Sequence, residues 1–177
     1  MKMGIVCLCA LVCIGLVLVA GCTSATTGTP GTEGKVAASQ EQVVTLVNGT
    51  YTFNASIDDI TTTALPSGGH RVDIFVTVNN VGGTPIQLQW FSTLTNTNGV
   101  SFGGVGVSHG GSGAETPPLG QGTSATGRDY VTIVSDQDYQ SLKNGATLTV
   151  NFVTEPFHSE SPVSFSTSWP LNPADFT

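Results

Sequence analysis

The sequence predicts an all-β protein, a single antiparallel β-sandwich behind an N-terminal signal-peptide helix and a flexible linker. Three observations lead to this prediction. After residue 22 the chain is rich in Thr, Ser, Gly and Val and poor in Ala, Leu, Lys and Glu, which favours strands and turns over helices. Several segments alternate apolar and polar residues with the period of two that a half-buried strand requires. Turn signals such as Asn-Gly separate these segments at spacings that suit a sandwich.

The first 21 residues have the layout of a secretory signal peptide. Lys2 precedes an apolar stretch from Gly4 to Ala20, and the run Val19-Ala20-Gly21-Cys22 closes it. This run resembles the end of a bacterial or archaeal lipoprotein signal, after which Cys22 carries the lipid. The other interpretation is an uncleaved transmembrane helix, although the stretch is shorter than the roughly 20 residues that usually span a bilayer. Both interpretations hold the N-terminus at a membrane and place the remaining chain outside the cytoplasm.

Residues 22–42 are predicted to form a flexible Thr/Gly/Ser-rich linker. Small polar residues with Gly and Pro cannot bury enough apolar surface to order themselves. Residues 43–177 are predicted to form the sandwich. Removal of the 21-residue leader from the 177-residue chain leaves 156 residues, which is enough for one domain with a sizeable core.

The first half of the domain is predicted to contain two hairpins. Val43–Val47 and Thr50–Ile60 form the arms of the first, and Asn48-Gly49 between them is typical of a type I′ turn. Arg71–Asn80 is the clearest strand, and its inner face is formed by Val72, Ile74, Val76 and Val78. The next strand has an inner face of Ile86, Leu88, Trp90 and Leu94. Asn98-Gly99 then predicts a second hairpin into Val100–Phe102.

The second half begins with a segment rich in Gly, Ser and Pro, Gly103–Gly122, which is predicted to be a long loop. Loops of this length in compact domains are usually functional or disordered. A strand is predicted over Thr123–Val134. Ser135 then caps a short helix that ends at Asn144-Gly145. Two further strands follow, with inner faces of Leu148, Val150 and Phe152 and of Val163, Phe165, Thr167 and Trp169, so that the total is seven to nine strands.

Four segments occur in an order that resembles a known family. They are HRVDIFVTVNNVGGTPIQLQW at 70–90, TNTNGVSF at 95–102, PLGQG at 118–122 and GRDYVTIVSDQDYQSLKNGATLTVNF at 127–152. Together they resemble the telokin-like, immunoglobulin-type domain of bacterial and archaeal lipoproteins of unknown function, over residues 43–169. The resemblance implies an immunoglobulin-like sandwich at the cell surface and no catalytic residues. Trp90 stands where such a domain has its core tryptophan, but the cysteine pair of antibody domains is absent, and the Gly-rich segment 103–117 is an insertion.

Composition excludes several classes of function. All four cysteines (Cys7, Cys9, Cys13 and Cys22) lie in the leader or directly after it, so the domain has no disulfide, no cysteine metal site and no cysteine nucleophile. The net charge of −7 becomes −8 when Lys2 leaves with the leader. The remaining basic residues, Lys35, Arg71, Arg128 and Lys143, are scattered along the chain. A nucleic acid is therefore not an expected partner, since it would require a basic patch.

Two sets of residues have types that occur in catalytic or metal sites. Gly106-Val107-Ser108-His109-Gly110 matches G-x-S-x-G, but a nucleophile elbow requires a strand before the serine and a helix after it. Glycines flank this run on both sides, so a flexible loop is the favoured interpretation. His70, His109 and His158 lack the spacing of metal ligands and are expected to be exposed loop residues. No metal or cofactor is predicted.

Acidic pairs and glycosylation sequons complete the candidates. Asp58-Asp59 and Asp136-x-Asp138 contain oxygen ligands that suit Ca²⁺. The favoured interpretations are a solvated strand end for the first pair and the first turn of a helix for the second. Asn48 and Asn54 each begin an N-x-Ser/Thr sequon on a segment expected to be exposed.

These observations favour a non-catalytic protein, held by lipid to the cell membrane on its extracellular or periplasmic side, that recognises a protein, a glycan or an envelope component. The expected binding segment is the loop Gly103–Gly122, with Gly103, Gly104, Ser108, His109 and Glu115, because rigid sandwiches often bind through loops. The alternative is a small-ligand or metal-ion receptor associated with a transporter, which would need a concave pocket. An enzyme is not expected.

Overall fold

The structure is a computed structural model that describes residues 42–105, 107–108, 117–154 and 161–176. Its strands are β1 Val44–Asn48, β2 Tyr51–Ala64, β3 His70–Asn80, β4 Leu88–Asn96, β5 Ser101–Val105, β6 Val107–Ser108, β7 Ser124–Ile133, β8 Ala146–Thr154 and β9 Ser164–Leu171. One helix, α1 Asp136–Lys143, lies between β7 and β8, and a 3-10 turn, Pro173–Asp175, follows β9. The predicted all-β class is therefore confirmed. The predicted leader, Cys22 and the linker up to residue 41 lie outside the described residues.

The strands form two antiparallel sheets that face each other. The hydrogen-bonded order is β1-β2-β3-β7-β5-β4-β8-β9; we call β1-β2-β3-β7 the first sheet and β4-β8-β9 the second, and β5 joins them. β3 therefore lies between β2 and β7, and β8 lies between β4 and β9, which is the order of an immunoglobulin-type sandwich. The two sheets nearly close on themselves, because the Asn48 amide at the end of β1 donates a hydrogen bond to the Ser164 carbonyl at the start of β9 (3.2 Å).

Strand β5 belongs to both sheets. Its first residues pair with β4, from Thr95↔Ser101 to Thr93↔Gly103. Its last residues pair with β7 instead, through Gly104↔Val131. β6 then pairs with β4 again. The chain thus crosses from the second sheet to the first at Gly103-Gly104.

Apolar side chains from both inner faces fill the space between the sheets. The four predicted inner residues of β3 are fully buried, and Trp90 is fully buried on β4. Phe53 packs edge-on against Phe152 and Phe165, with ring centroids 5.3 and 4.9 Å apart. Trp90 adds a tilted contact to Phe152 at 6.0 Å. This aromatic cluster joins residues of both sheets, since Phe53 lies on β2 and the other three rings lie on β4, β8 and β9.

The structure corrects the predicted turn of the first hairpin. Asn48 pairs with Tyr51 in the β1–β2 ladder, so the two turn residues are Gly49 and Thr50 and not Asn48-Gly49. Gly49 has a φ of 59°, which glycine adopts without strain at the first central position of a hairpin turn. The prediction was wrong by one residue because both Asn and Gly tolerate positive φ, so the sequence leaves the register open.

Two further segments differ from prediction. Gly103–Gly122 is not one loop: Gly103 and Gly104 lie in β5, Val107–Ser108 forms β6, and Leu119 makes an isolated bridge with Ile86. The sequence did not predict these short strands because they contain glycine and serine, and neither residue has a high strand propensity. Asp58 and Asp59 do not end a strand either. They lie within β2, at a bulge where the β2–β3 register shifts between Ile57 and Asp59.

The short helix is confirmed where it was predicted. Ser135 has an extended backbone, and its hydroxyl accepts a hydrogen bond from the Asp138 N–H at 3.1 Å. The acidic side chains of Asp136 and Asp138 lie in the first turn, where the helix dipole favours negative charge. Gly145 closes the helix with a φ of 121° and donates its N–H to the Leu142 carbonyl.

Gly127 on β7 leaves space for the indole ring of Trp90. A Cβ atom at this position would lie 2.5 Å from Cζ2 of Trp90. Gly127→Ala is therefore expected to lower the free energy of unfolding by about 1–3 kcal/mol through overpacking. Urea denaturation followed by tryptophan fluorescence measures this change.

Gly103→Ala is the matched control for this variant. A Cβ atom at Gly103 would have no heavy atom within 4 Å, so its effect is expected to stay within about 0.5 kcal/mol. Equal urea midpoints for the Gly127→Ala protein and the wild type would contradict the tight fit at Trp90.

Candidate functional site

The structure places only part of the predicted binding segment. Gly103 and Gly104 lie in β5, where the chain crosses between the sheets. Ser108 is the last residue of β6, and its backbone pairs with Gln89 of β4. His109 and Glu115 lie outside the described residues, as does Cys22.

Both sequon asparagines lie on neighbouring strands at the start of the domain. Asn48 ends β1, is exposed, and donates its amide hydrogen to the Ser164 carbonyl. Asn54 lies on β2, and its side-chain oxygen accepts a hydrogen bond from the Thr45 hydroxyl at 2.8 Å. The side chain of each sequon asparagine therefore forms a hydrogen bond within the domain.

His70 differs from the exposed loop residue that was predicted. It is the first residue of β3, and its side chain is 20% exposed. The imidazole stacks on the Tyr139 ring of α1, with centroids 3.7 Å apart and planes 13° apart. Its Nδ1 lies 3.4 Å from the Asp136 carboxylate. His70 thus connects β3 to α1, whereas His109 and His158 lie outside the described residues.

A buried carboxylate supports the crossing of β5. Asp129 of β7 is fully buried and accepts hydrogen bonds from the N–H groups of Ser92 on β4 and of Tyr130. Burial raises the pKa of Asp129 to about 6, and the hydrogen bonds from Ser92 and Tyr130 oppose this rise. A Cβ atom on Gly104 would lie 2.9 Å from this carboxylate, so only glycine fits where the strand passes it. Asp129 therefore links the two sheets where β5 leaves β4.

The outer side of the first sheet carries charge. The carboxylate of Asp73 on β3 lies 2.9 Å from the Arg71 Nε atom and 3.7 Å from the Arg128 Nε atom of β7. Both arginine side chains are partly exposed, but Asp73 itself is buried beneath them. The Arg71 guanidinium also lies 5.8 Å from the centre of the Tyr130 ring.

Asp58 has hydroxyl partners on the same side of this sheet. Its carboxylate accepts a hydrogen bond from the Thr77 hydroxyl of β3, and the Thr126 hydroxyl of β7 lies 3.5 Å away. The Asp58 carboxylate, an oxygen ligand of the type that suits Ca²⁺, is thus held by hydroxyl groups of neighbouring strands.

The second sheet has no charge in any of its strands. β4, β5, β6, β8 and β9 contain no Asp, Glu, Lys or Arg. The charged strand residues all belong to β2, β3 and β7, and they are Asp58, Asp59, Arg71, Asp73, Arg128 and Asp129. The two sides of the sandwich therefore differ in chemistry.

The outer side of β4, β8 and β9 is covered by hydroxyl and amide groups, and we call it the polar face. It consists of Gln89, Phe91, Thr93 and Thr95 of β4, Thr147, Thr149, Asn151 and Val153 of β8, and Ser164, Ser166, Ser168 and Pro170 of β9. These residues stand in rows across the strands, because the ladder pairs them directly.

Two rows of the polar face show its arrangement. Thr93, Thr149 and Ser168 lie side by side, and the Thr149 and Ser168 hydroxyls are hydrogen-bonded at 2.8 Å. In the next row, Phe91, Asn151 and Ser166 are neighbours. Phe91 is 42% exposed, so an aromatic ring stands among the polar groups.

Sequence reasoning did not identify the polar face as a site. Its signal was present, since the outward positions of three strands all lack charge. The signal was not recognised because the residues that form one row lie far apart in sequence. Thr93, Thr149 and Ser168 are an example. Only the β4-β8-β9 pairing brings them together.

The part of the chain that the structure describes has no cavity, metal-ligand cluster or membrane-spanning helix. The described residues enclose no ligand-sized cavity. Within the same ranges, no group of three or more His, Cys, Asp and Glu side chains is arranged to hold a metal ion. No helix among residues 42–105, 107–108, 117–154 and 161–176 is long and apolar enough to cross a membrane.

The chain matches no family model and no curated protein at a significant level. Solved structures give low similarity scores. A Bordetella pertussis protein assigned as ApaA is 16% identical, with 69% of this chain and 94% of that chain covered and a TM-score of 0.44. The secreted Mycobacterium tuberculosis protein MPT63 is 11% identical, with coverages of 75% and 97% and a TM-score of 0.40. A Bacillus subtilis protein assigned as a lipoprotein, ycdA, is 13% identical, with coverages of 68% and 36% and a TM-score of 0.38. Similarity at this level assigns neither a family nor an activity.

The raised pKa of Asp129 predicts a pH-dependent stability. Its folded pKa of about 6 exceeds the value of about 3.9 for an unfolded aspartate, so the folded state binds the proton more tightly. The stabilisation from this group is complete below about pH 4 and is lost as pH rises to about 6. Across this window the free energy of unfolding is expected to fall by about 2 kcal/mol relative to that of Asp129→Asn.

Urea denaturation of both proteins between pH 3.5 and 7.5 measures this difference. Asp59→Asn serves as the control, because Asp59 is exposed on β2 and its carboxylate accepts a hydrogen bond from the adjacent Ile60 N–H. If the free energies of unfolding of the wild type and of Asp129→Asn change with pH in the same way, the pKa of Asp129 is not raised in the folded state.

Proposed function

We propose that this protein is a lipid-anchored, extracytoplasmic recognition protein that binds its partner without catalysis, through the polar face of its sandwich. The observation that carries this proposal is the uncharged hydroxyl and amide surface on β4, β8 and β9. Paired strands hold these groups in fixed positions, so a ligand does not have to order them on binding. Polar groups of this kind suit a hydrated interface.

The location in this proposal rests on the leader. Lys2, the apolar stretch and Val19-Ala20-Gly21-Cys22 support export and lipid attachment. Stable attachment needs two or more lipid chains, since a single chain binds a membrane only marginally. The Gly103–Gly122 segment remains part of the proposal as a second contact, because β5 and β6 lie directly beside β4.

Cys22→Ser tests the anchor. The wild-type protein is expected in the membrane fraction, with an intact mass equal to the chain from Cys22 plus lipid. Cys22→Ser is expected to lose both the added mass and the membrane fraction. Cys13→Ser, within the leader, is the control and should behave as the wild type. An unlipidated chain that retains Met1 would contradict the anchor.

Thr149→Asp tests recognition by the polar face, because it places a negative charge between the hydroxyl groups of Thr93 and Ser168. Co-sedimentation of the purified full chain with delipidated envelope material is expected to decrease for this variant. Thr132→Asp, on the outer side of the first sheet, should leave it unchanged. Equal sedimentation of both variants and the wild type would contradict a role of the polar face.

A further inference from the structure

The polar face matches a ligand without charge. A polyanion such as a nucleic acid or an acidic lipid requires cationic side chains, and β4, β8 and β9 have none. A cationic ligand would find the carboxylates of Asp58 and Asp59 on the first sheet and none on these three strands. Charge complementarity therefore selects a neutral partner for this face.

Hydroxyl and amide side chains match the hydrogen-bonding groups of such a ligand. In the Thr149–Ser168 pair one hydroxyl donates to the other, so the second keeps its own hydrogen for a ligand. The Thr95 and Ser101 hydroxyls form the same kind of pair at 2.9 Å. Each pair thus presents donors and acceptors together, as the hydroxyl groups of a sugar also do.

Phe91 provides an apolar contact among these groups. Its ring is 42% exposed and has Asn151 beside it on β8. The face of an aromatic ring is electron-rich and attracts partially positive hydrogens. Sugar rings have such hydrogens on their C–H faces and hydroxyl groups around their rims. A sugar over Phe91 would therefore place its rim near the hydroxyl rows.

A protein partner fits this surface less well. The residues that dominate binding between proteins are Trp, Tyr and Arg, whereas Ser and Thr are under-represented among them. The polar face has one aromatic residue and no arginine. The face therefore lacks most of the residue types that dominate the binding energy of a protein interface.

We infer that the partner of the polar face is a neutral polysaccharide, bound by stacking on Phe91 and by hydrogen bonds to the flanking hydroxyl and amide groups. This inference rests on the recognition function proposed above and adds the chemical class of the partner.

The test uses the full chain purified in detergent. Binding is measured to insoluble cellulose and chitin, to soluble dextran and mannan in affinity gels, and to polygalacturonate as an anionic comparison. Retention by at least one neutral polysaccharide is expected, without weakening by added salt. Phe91→Ala should weaken this binding about tenfold, the change expected for the loss of one aromatic contact. Phe75→Ala, which removes a half-buried ring from the outer side of the first sheet, should leave it unchanged.

Thermal melting establishes that each variant is folded, and Thr149→Asp provides a second disruption of the face if Phe91→Ala does not fold. Retention by none of the neutral polysaccharides would overturn the inference. Binding to polygalacturonate but to no neutral polysaccharide would also overturn it. The same holds if Phe91→Ala is folded and binds as tightly as the wild type. If Thr149→Asp still abolishes sedimentation with envelope material in that case, the recognition function stands and only the class of partner is wrong.

Discussion

The fit of Trp90 between the two sheets is the contact on which the rest of the structure depends. No cysteine follows Cys22, so no disulfide holds the sheets together. The indole occupies space that Gly127 leaves open on β7 and also contacts Phe152 on β8. Near the same place, Asp129 accepts the Ser92 N–H that β5 leaves without a strand partner. Close packing and one buried hydrogen bond thus replace the covalent link of an antibody domain.

This arrangement separates the two outer surfaces of the sandwich. β7 contributes Arg128 to the charged side and Asp129 to the interior, while β4 and β8 present only neutral groups outward. The proposed function follows from this separation. The polar face carries no charge although the chain is acidic, so repulsion from another acidic surface is weakest at the region proposed to bind a ligand.

The fold was predictable from the sequence to a large extent, because its signals are local. Alternation along 70–80 and the Ser135 cap each depend on neighbouring residues, and the structure confirms both. The crossing of β5 was not predictable, since glycine is required at position 104 only because Asp129, a residue distant in sequence, lies beside it. The polar face was missed for the same physical reason. Strand alternation identifies which residues point outward, but it does not identify which strands are neighbours.

The contact between Asn48 and Ser164 affects how copies of this domain would meet if many were displayed at a membrane, as proposed above. A strand at the border of an open sheet exposes unpaired N–H and C=O groups that can pair with another chain and begin aggregation. Here the first strand and the last strand approach each other, and a side-chain hydrogen bond joins them. This approach of β9 shields part of the exposed edge of β1, which lowers the tendency of crowded copies to pair through that edge.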